Sequence, residues 1–135
     1  MKIYFPLILM LFFSSCMDRI DLRNFEVSNN SSSNIYTVIH KNDIEDDTIN
    51  NYGFIGDFTD SIYNHKVKEI NRPIDWKTYV STSMGHKFRL YIIKKDSVDK
   101  YGWKAIHKKN IYNKKYLLNV DVLDSLNWKI EYNGD

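Results

Sequence analysis

Three segments in the second half of the chain alternate between apolar and polar residues, and this period of two is typical of a strand with one buried face. The segments are residues 74–81 (IDWKTYVS), 88–94 (FRLYIIK) and 128–132 (WKIEY). We therefore predict three half-buried antiparallel strands that belong to one sheet system. The side chains predicted to face inward are those of Ile74, Trp76, Thr78, Val80, Phe88, Leu90, Ile92, Trp128, Ile130 and Tyr132, while those of Arg89 and Tyr91 are predicted to face outward.

The first half of the chain also predicts strands. Residues 25–27 (FEV) and 35–40 (IYTVIH) are rich in β-branched and aromatic residues, and residues 29–34 (NNSSSN) between them have the composition of a hairpin loop. Residues 41–51 (KNDIEDDTINN) are predicted to form an exposed acidic loop, and residues 52–58 (YGFIGDF) to form another strand.

Two short helices are predicted near the C-terminus. Ser97 would cap residues 98–109 (VDKYGWKAIHKK), and Asn119 would cap residues 120–127 (VDVLDSLN). Gly102 weakens the first helix by about 1 kcal/mol relative to alanine. The predicted fold is therefore mainly β: an antiparallel β-sandwich, immunoglobulin-like or similar, with two short helices near the C-terminus.

The N-terminus has the order of residue types found in a secretory signal peptide. Lys2 supplies a positive charge, residues 3–13 (IYFPLILMLFF) are apolar, and Ser14 and Ser15 are small. The apolar run is too short for a membrane-spanning helix, which needs about 20 residues. Residues 1–15 are therefore predicted to be a signal peptide, the alternative being a buried N-terminal strand of a cytosolic domain.

Cys16, the single cysteine of the chain, directly follows this segment. Residues 13–16 (FSSC) resemble a bacterial lipobox, with Phe13 where leucine is usual, and the resemblance implies cleavage before Cys16 and attachment of diacylglycerol to its thiol. A free thiol is a liability in an oxidising compartment, and acylation would consume it. We expect lipidation at Cys16, a tether over residues 16–24 and a single β-rich domain over residues 25–135. An incidental cysteine in an ordinary exported protein is the alternative.

Charge gives no reason to expect a nucleic-acid partner. The chain has 19 basic and 17 acidic residues, and loss of residues 1–15 removes only Lys2, which leaves 18 basic against 17 acidic. Lysine pairs at 94–95, 108–109 and 114–115 could contact an anionic surface, although a solvated face also explains them.

No motif for catalysis, metal binding or cofactor binding is evident in the sequence. The histidines at positions 40, 65, 86 and 107 form no His-x-x-x-His pair, and residues 81–85 (STSMG) lack the leading glycine of a nucleophile elbow. The acidic residues Asp46, Asp47, Asp57 and Asp60 could bind a hard cation or form a solvated loop. We predict that the protein is not an enzyme and that it needs neither a cofactor nor a metal.

Aromatic residues raise a binding alternative. The chain has ten tyrosines and three tryptophans, and both types are common at surfaces that bind proteins or sugars. Because the tryptophans lie at positions predicted to face inward, we assign them to the core. Tyr79 and Tyr91 remain as candidates for a contact surface with an envelope protein or a glycan.

The C-terminal half contains three features in a fixed order. A strand ends in Lys-Asp-Ser, a helix with Tyr-x-Trp follows, and a Leu-x-x-Leu-Asn-Trp segment enters the last strand. This order, over residues 88–132, resembles the small, uncharacterised lipoproteins of Bacteroidetes-type bacteria. The matching residues are Tyr101, Trp103, Tyr116, Leu118, Leu123, Leu126, Asn127 and Trp128, with Asn119 and Asp121 at the capping positions.

The resemblance implies an envelope location and a compact domain rather than a reaction. It also implies O-glycosylation at Asp-Ser/Thr-apolar motifs, among which Thr48 and Ser61 are the favoured acceptors. We therefore expect a lipid-anchored cell-envelope protein that acts as a structural or interaction module. A small envelope hydrolase or a glycan-binding module is the alternative, and a cleft that holds His86 beside Ser83 and a carboxylate would favour the hydrolase.

The membrane, reached through the N-terminal lipid, is the expected partner. An envelope protein or a glycan is a further candidate partner, and nucleic acid is not expected. The outer membrane, on its periplasmic or surface side, is favoured over the inner membrane.

Overall fold

A computed structural model describes residues 23–43, 59–71 and 74–134. The predicted signal peptide, Cys16, Thr48 and the strand predicted at 52–58 lie outside the described residues, as do three of the four aspartates of the acidic region. The elements, in chain order, are β1 (Phe25–Asn29), β2 (Ile35–His40), β3 (Thr59–Ile62), β4 (Lys66–Ile70), α1 (Trp76–Ser81), β5 (Phe88–Lys94), α2 (Lys95–Lys108), β6 (Lys114–Leu118), α3 (Val120–Ser125) and β7 (Lys129–Tyr132).

The described strands form two sheets. One sheet has three strands in the order β4-β1-β7, and the other has four strands in the order β3-β2-β5-β6. Pairing is antiparallel throughout, except that β7 runs parallel to β1 with Glu26 beside Lys129. Apolar side chains of both sheets belong to one buried cluster, which includes Val27 and Ile130 from the first sheet and Leu90 from the second. The described part of the chain is therefore strand-rich, with two mostly antiparallel sheets and three helices.

The strand predicted at residues 74–81 is wrong, because this segment contains helix α1. A side-chain oxygen of Asp75 accepts a hydrogen bond from the Thr78 N–H (2.9 Å) and caps the helix. Trp76 and Tyr79 are buried one helical turn apart, while Ile74, predicted to face inward, is exposed. In so short a segment, an apolar period of two and a helical period fit the same residues.

Arg89 and Tyr91 were predicted to face solvent, and this prediction is also wrong. Both side chains are buried. Tyr91 lies in an apolar cluster where helix α2 packs on the outer face of the four-stranded sheet, whereas Arg89 contacts Asp43 and the backbone carbonyls of Lys41 and Met84. Val98 and Ile106 of α2 contribute to a second apolar cluster there, together with strand residues of β2 and β5. Strand β5 is therefore buried on both of its faces.

Helix α2 begins before its predicted cap. Lys94 occupies the N-cap position, and Ser97 lies inside the helix rather than at its start. Gly102 interrupts the helix with φ 71° and ψ 156°, a conformation that only glycine adopts readily. The cap predicted for α3 is confirmed, since the Asn119 side-chain oxygen accepts a hydrogen bond from the Val122 N–H (2.9 Å). The first helix, α1, is not near the C-terminus, so the prediction of helices only in that region was incomplete.

The core set was predicted correctly in part. Seven of the ten residues expected to face inward are buried, namely Trp76, Phe88, Leu90, Ile92, Trp128, Ile130 and Tyr132. They do not lie in one sheet, because Trp76 is in α1 and Ile130 is in the three-stranded sheet. The Trp76 ring stacks on the Phe88 ring with centroids 5.0 Å apart, which joins α1 to the four-stranded sheet.

Candidate functional site

Two ends of the domain can be distinguished by the strand register. β1 and β5 begin at the same end, where Phe25 pairs with Ile70, Phe88 pairs with Leu118, and the two phenylalanine rings lie 6.1 Å apart. We call this the near end. It comprises Arg23, helices α1 and α3, and the 3₁₀ turn Met84–His86. The far end carries residues 30–34 and 63–65, which connect strands on the opposite side of the core.

Arg23, the first described residue, is held against the near end at three points. Its carbonyl oxygen accepts a hydrogen bond from the Trp76 indole N–H (2.8 Å). Its guanidinium donates to the Asp124 carboxylate (2.5 Å) and lies 4.1 Å from the centre of the Trp128 ring. The Trp128 indole N–H donates to the same carboxylate (2.8 Å). These contacts fix the point at which the N-terminal segment joins the domain.

Asn24 is also docked on the domain, through a hydrogen bond from its side-chain amide to the Glu69 carboxylate. Residues 23 and 24 were assigned to the tether. In the structure both residues contact the folded domain.

A shallow cleft of about 300 Å³ separates α1 from the start of α3. Lys77, Val80 and Ser81 of α1 line one side, and Asn119, Val120 and Asp121 line the other, with His86 also in the lining. The Ser81 hydroxyl donates to the Thr78 carbonyl (2.9 Å). The cleft therefore offers a cation, an imidazole and a carboxylate.

Ser83 does not belong to this cleft. The residue is buried, and its hydroxyl donates to the Tyr79 carbonyl inside the domain (2.7 Å). A serine nucleophile must present its oxygen to substrate beside a base. The arrangement of His86 beside Ser83 that would favour a hydrolase is therefore not the one seen.

A second depression of about 460 Å³ lies between the edge strands β6 and β7 of the two sheets. The Tyr116 hydroxyl donates to the Glu131 carbonyl (3.0 Å) and connects the two edges. The lining residues are Tyr116, Leu126, Asn127, Lys129, Ile130 and Glu131. This groove therefore combines an aromatic ring with amide, ammonium and carboxylate groups.

A charge network around the buried guanidinium of Arg89 lies at the near end of the four-stranded sheet. The Arg89 guanidinium donates to one oxygen of Asp43 (3.0 Å), and the Lys115 ammonium donates to the other (3.0 Å). Arg89 also donates to the backbone carbonyls of Lys41 (3.2 Å) and Met84 (2.6 Å). The hydrogen bond from Arg89 is the main reason that the pKa of the Asp43 carboxyl lies below its ordinary value. The network joins two loops of the near end to β5 and β6.

Sequence reasoning missed this network. An arginine at an alternate position of an otherwise apolar strand was assigned to solvent, although a run as apolar as FRLYIIK is equally typical of a strand buried on both faces. The signal was therefore present in β5 itself. Its partners Asp43 and Lys115 are distant in sequence, and no local pattern connects them to Arg89.

The two tyrosines predicted to form a contact surface do not form one. Tyr79 is 5% exposed and Tyr91 is fully buried, so neither ring is available to a partner. Burial raises the pKa of Tyr79 to about 12, because the phenolate would lose its hydration. Each tyrosine belongs to a different apolar cluster, Tyr79 to the core and Tyr91 to the cluster under α2.

Ser61 is exposed on β3, which is an edge strand of the four-stranded sheet. The preceding Asp60 forms an ion pair with Lys68 (2.5 Å), and the following Ile62 is buried. Ser61 is therefore accessible within its Asp-Ser-Ile motif. Its glycosylation stays a prediction.

Among residues 23–43, 59–71 and 74–134, no group of three histidine, cysteine or acidic side chains is arranged to hold a metal ion. Within the same ranges, no helix has the length and apolar character needed to cross a bilayer.

No protein-family model, curated protein or solved structure matches this chain. Its function is therefore inferred from its own residues and contacts.

Proposed function

We propose that this chain is a lipid-anchored bacterial cell-envelope protein whose folded domain is a structural or interaction module. The observation that carries the proposal is the position of Cys16, the single cysteine, directly after an apolar run and two serines. Residues 1–15 would be removed as a signal peptide, and the Cys16 thiol would receive diacylglycerol. Two or more acyl chains, such as palmitate, hold a protein stably at a bilayer, whereas one chain binds only marginally.

The contacts of Arg23 support a short connection between the lipid and the domain. Six residues, 17–22, separate Cys16 from Arg23. An extended chain advances about 3.3–3.6 Å per residue, so the Cα atom of Cys16 can lie at most about 25 Å from that of Arg23. The lipid would therefore keep the domain at the bilayer surface.

The fold supports a compact module. We infer that the two sheets form a β-sandwich, since residues of both contribute to a single buried cluster. An immunoglobulin-like topology stays a prediction. The likeness to small lipoproteins of Bacteroidetes-type bacteria, and a location at the outer membrane on its periplasmic or surface side, are parts of the same proposal.

A glycan-binding role is the second candidate, and the groove between β6 and β7 favours it. Sugars stack on aromatic rings, and their hydroxyl groups hydrogen-bond to amide and charged side chains. Tyr116 would supply the ring, while Asn127, Lys129 and Glu131 would supply the hydrogen bonds. Binding of envelope polysaccharide fragments that is lost in Tyr116→Ala and retained in Tyr116→Phe would favour this candidate. Equal binding by the wild type and Tyr116→Ala would remove it.

The hydrolase has less support. The Ser83 hydroxyl is bonded to a backbone carbonyl inside the domain, and the Ser81 hydroxyl in the cleft is bonded to the Thr78 carbonyl. A module without catalytic activity and without a cofactor is therefore the form of the proposal that we adopt.

The lipid anchor is tested by growth of a bacterial host with labelled fatty acid. We expect label in the wild-type protein and a membrane-bound product. Cys16→Ala should carry no label and should accumulate as uncleaved precursor or as released soluble protein. Because Ser15→Ala keeps a small residue before the cleavage point, this control should retain the label. Equal labelling of the wild type and Cys16→Ala, or none in either, would contradict the proposal.

Protease treatment of intact cells, followed by blotting, distinguishes the possible locations. A protein on the cell surface would be degraded in intact cells. A periplasmic protein would be degraded only after the outer membrane is opened.

A further inference from the structure

The near end of the domain combines the N-terminal attachment point with exposed apolar side chains. Ile74 precedes α1 and is 43% exposed, Met84 follows α1 and is 50% exposed, and Leu126 follows α3 and is 41% exposed. Each lies in a connection at a helix end rather than in a sheet, so none contributes to the core. The basic residues Lys77 and Lys87 are exposed at the same end.

Two of these side chains are near in sequence to residues that hold Arg23, and the third is at the same end of the domain. Ile74 is two positions before Trp76, whose indole bonds to the Arg23 carbonyl. Leu126 is two positions before Trp128, whose ring lies under the Arg23 guanidinium. Met84 is held to the same end by a hydrogen bond from its N–H to the Lys41 carbonyl (3.0 Å).

The length of chain outside the described residues favours the bilayer as the surface that this end faces. With Cys16 acylated, the lipid lies at most about 25 Å from Arg23. Strand β5 spans seven residues between the two ends of its sheet, which corresponds to about 20 Å. The near end therefore reaches the bilayer with slack in the connecting chain. The far end would reach the bilayer only if residues 17–22 extended along the whole length of the sheets.

We propose that the near end is the membrane-facing surface of the anchored protein, and that Ile74, Met84 and Leu126 enter the headgroup region of the lipid bilayer. This inference rests on the proposed lipid anchor. Exposed apolar side chains next to an acylated attachment point favour the interface between headgroups and acyl chains. The far end, with residues 30–34 and 63–65, then points away from the membrane, and Ser61 lies on the side that a partner can reach.

The test uses the acylated full-length product, purified from membranes and reconstituted in vesicles of phosphatidylethanolamine and phosphatidylglycerol. Because acylation occupies the Cys16 thiol, a single introduced cysteine can be labelled with an environment-sensitive fluorophore. The positions are Ile74→Cys, Met84→Cys and Leu126→Cys at the near end. The matched controls are Tyr101→Cys, equally exposed at 43%, and Tyr63→Cys at the far end, 66% exposed. Each variant is first shown to melt as the wild type does.

We expect spin-labelled phospholipid to quench the three near-end fluorophores several-fold more than those at Tyr101 and Tyr63. Quenching that is the same at all five positions, or stronger at Tyr63, would overturn the membrane-facing assignment while leaving the anchor intact. Absence of acyl chains from the purified protein would instead overturn the proposed function, and this inference with it. Fatty-acid labelling of the same preparation separates the two failures.

Discussion

The four-stranded and three-stranded sheets differ in what covers their outer faces. Helix α2 covers the outer face of the four-stranded sheet, and all six residues from Phe88 to Ile93 of β5 are buried. On the three-stranded sheet, buried and less buried residues alternate along β1 and β7, and the outer positions carry polar side chains such as Glu26, Lys129 and Glu131. A strand whose apolar and polar residues alternate strictly therefore has one face in solvent. A strand with a continuous apolar run has its second face covered by another element.

The largest effect is expected where the two sheets share the core. Trp76 contacts Phe25 of the three-stranded sheet and Phe88 of the four-stranded sheet, with ring centroids 5.2 and 5.0 Å apart. Trp76→Ala should lower the free energy of unfolding by about 3–5 kcal/mol, because it removes the largest fully buried side chain and leaves a cavity. Denaturant titration measures this loss. An unchanged midpoint would show that α1 does not contribute to the core.

The second-largest effect on stability comes from comparing a side chain on the outer face of each sheet. Ile93 is fully buried under α2, whereas Val67 is 59% exposed on the outer face of the three-stranded sheet. Ile93→Ala should cost about 2–5 kcal/mol, and Val67→Ala should change stability by no more than about 0.5 kcal/mol. Equal losses in the two variants, measured by the same titration, would break the comparison.

Substitution of Gly102, which interrupts α2, is expected to have a smaller effect on stability. A Cβ atom at Gly102 or at Gly85 would meet no neighbouring atom within 4 Å, so only the backbone conformation matters. Gly102 has φ 71° and ψ 156°, in a region that is essentially restricted to glycine, whereas Gly85 has φ 65° and ψ 24°, which other residues adopt at lower cost. Gly102→Ala should cost about 1–3 kcal/mol, and Gly85→Ala about 1 kcal/mol. Thermal melting of both variants checks the order, and a more stable Gly102→Ala would contradict it.

The smallest effect on stability is expected from the pH dependence of the Asp43–Arg89–Lys115 charge network at the four-stranded sheet. Asp43 is paired with Arg89 and Lys115, and the pKa of its carboxyl lies below its ordinary value, first because of the hydrogen bond from Arg89. The folded state therefore favours the ionised carboxylate, so this stabilisation is present at neutral pH and is lost as pH falls below about 4. Asp43→Asn should lose less stability than the wild type between pH 5 and about pH 2. Identical acid-unfolding profiles for the two proteins would show that Asp43 contributes nothing.

The sequence predicted the strands that are rich in apolar residues. β1 and β2 were recognised by their β-branched and aromatic residues, and β5 and β7 by their alternation of apolar and polar types. The Asn119 cap of α3 was recognised because its hydrogen bond is local. β3, β4 and β6 were not predicted, since each has a single buried residue: Ile62, Ile70 and Leu118 in that order. Such polar edge strands are defined by backbone pairing with a neighbour, which no local pattern reveals.

The near end could not be predicted for the same reason. Arg23 contacts Asp124, which is 101 positions away in the chain, and this contact exists only after the fold has formed. Lipidation at Cys16 could be predicted from the sequence because the signal consists of contiguous residues. Tyr79 and Tyr91 were misassigned because their burial depends on how α1 and α2 pack against the sheets, which the alternation of residue types does not show.

The most direct test of the proposed lipid anchor is the mass of the N-terminal peptide of the mature protein, isolated from bacterial membranes and measured by mass spectrometry. The account predicts a peptide that begins at Cys16 and carries a diacylglycerol thioether, with a further acyl chain on the new amino terminus. A mature protein that begins at another residue, or that contains an unmodified Cys16, would contradict it.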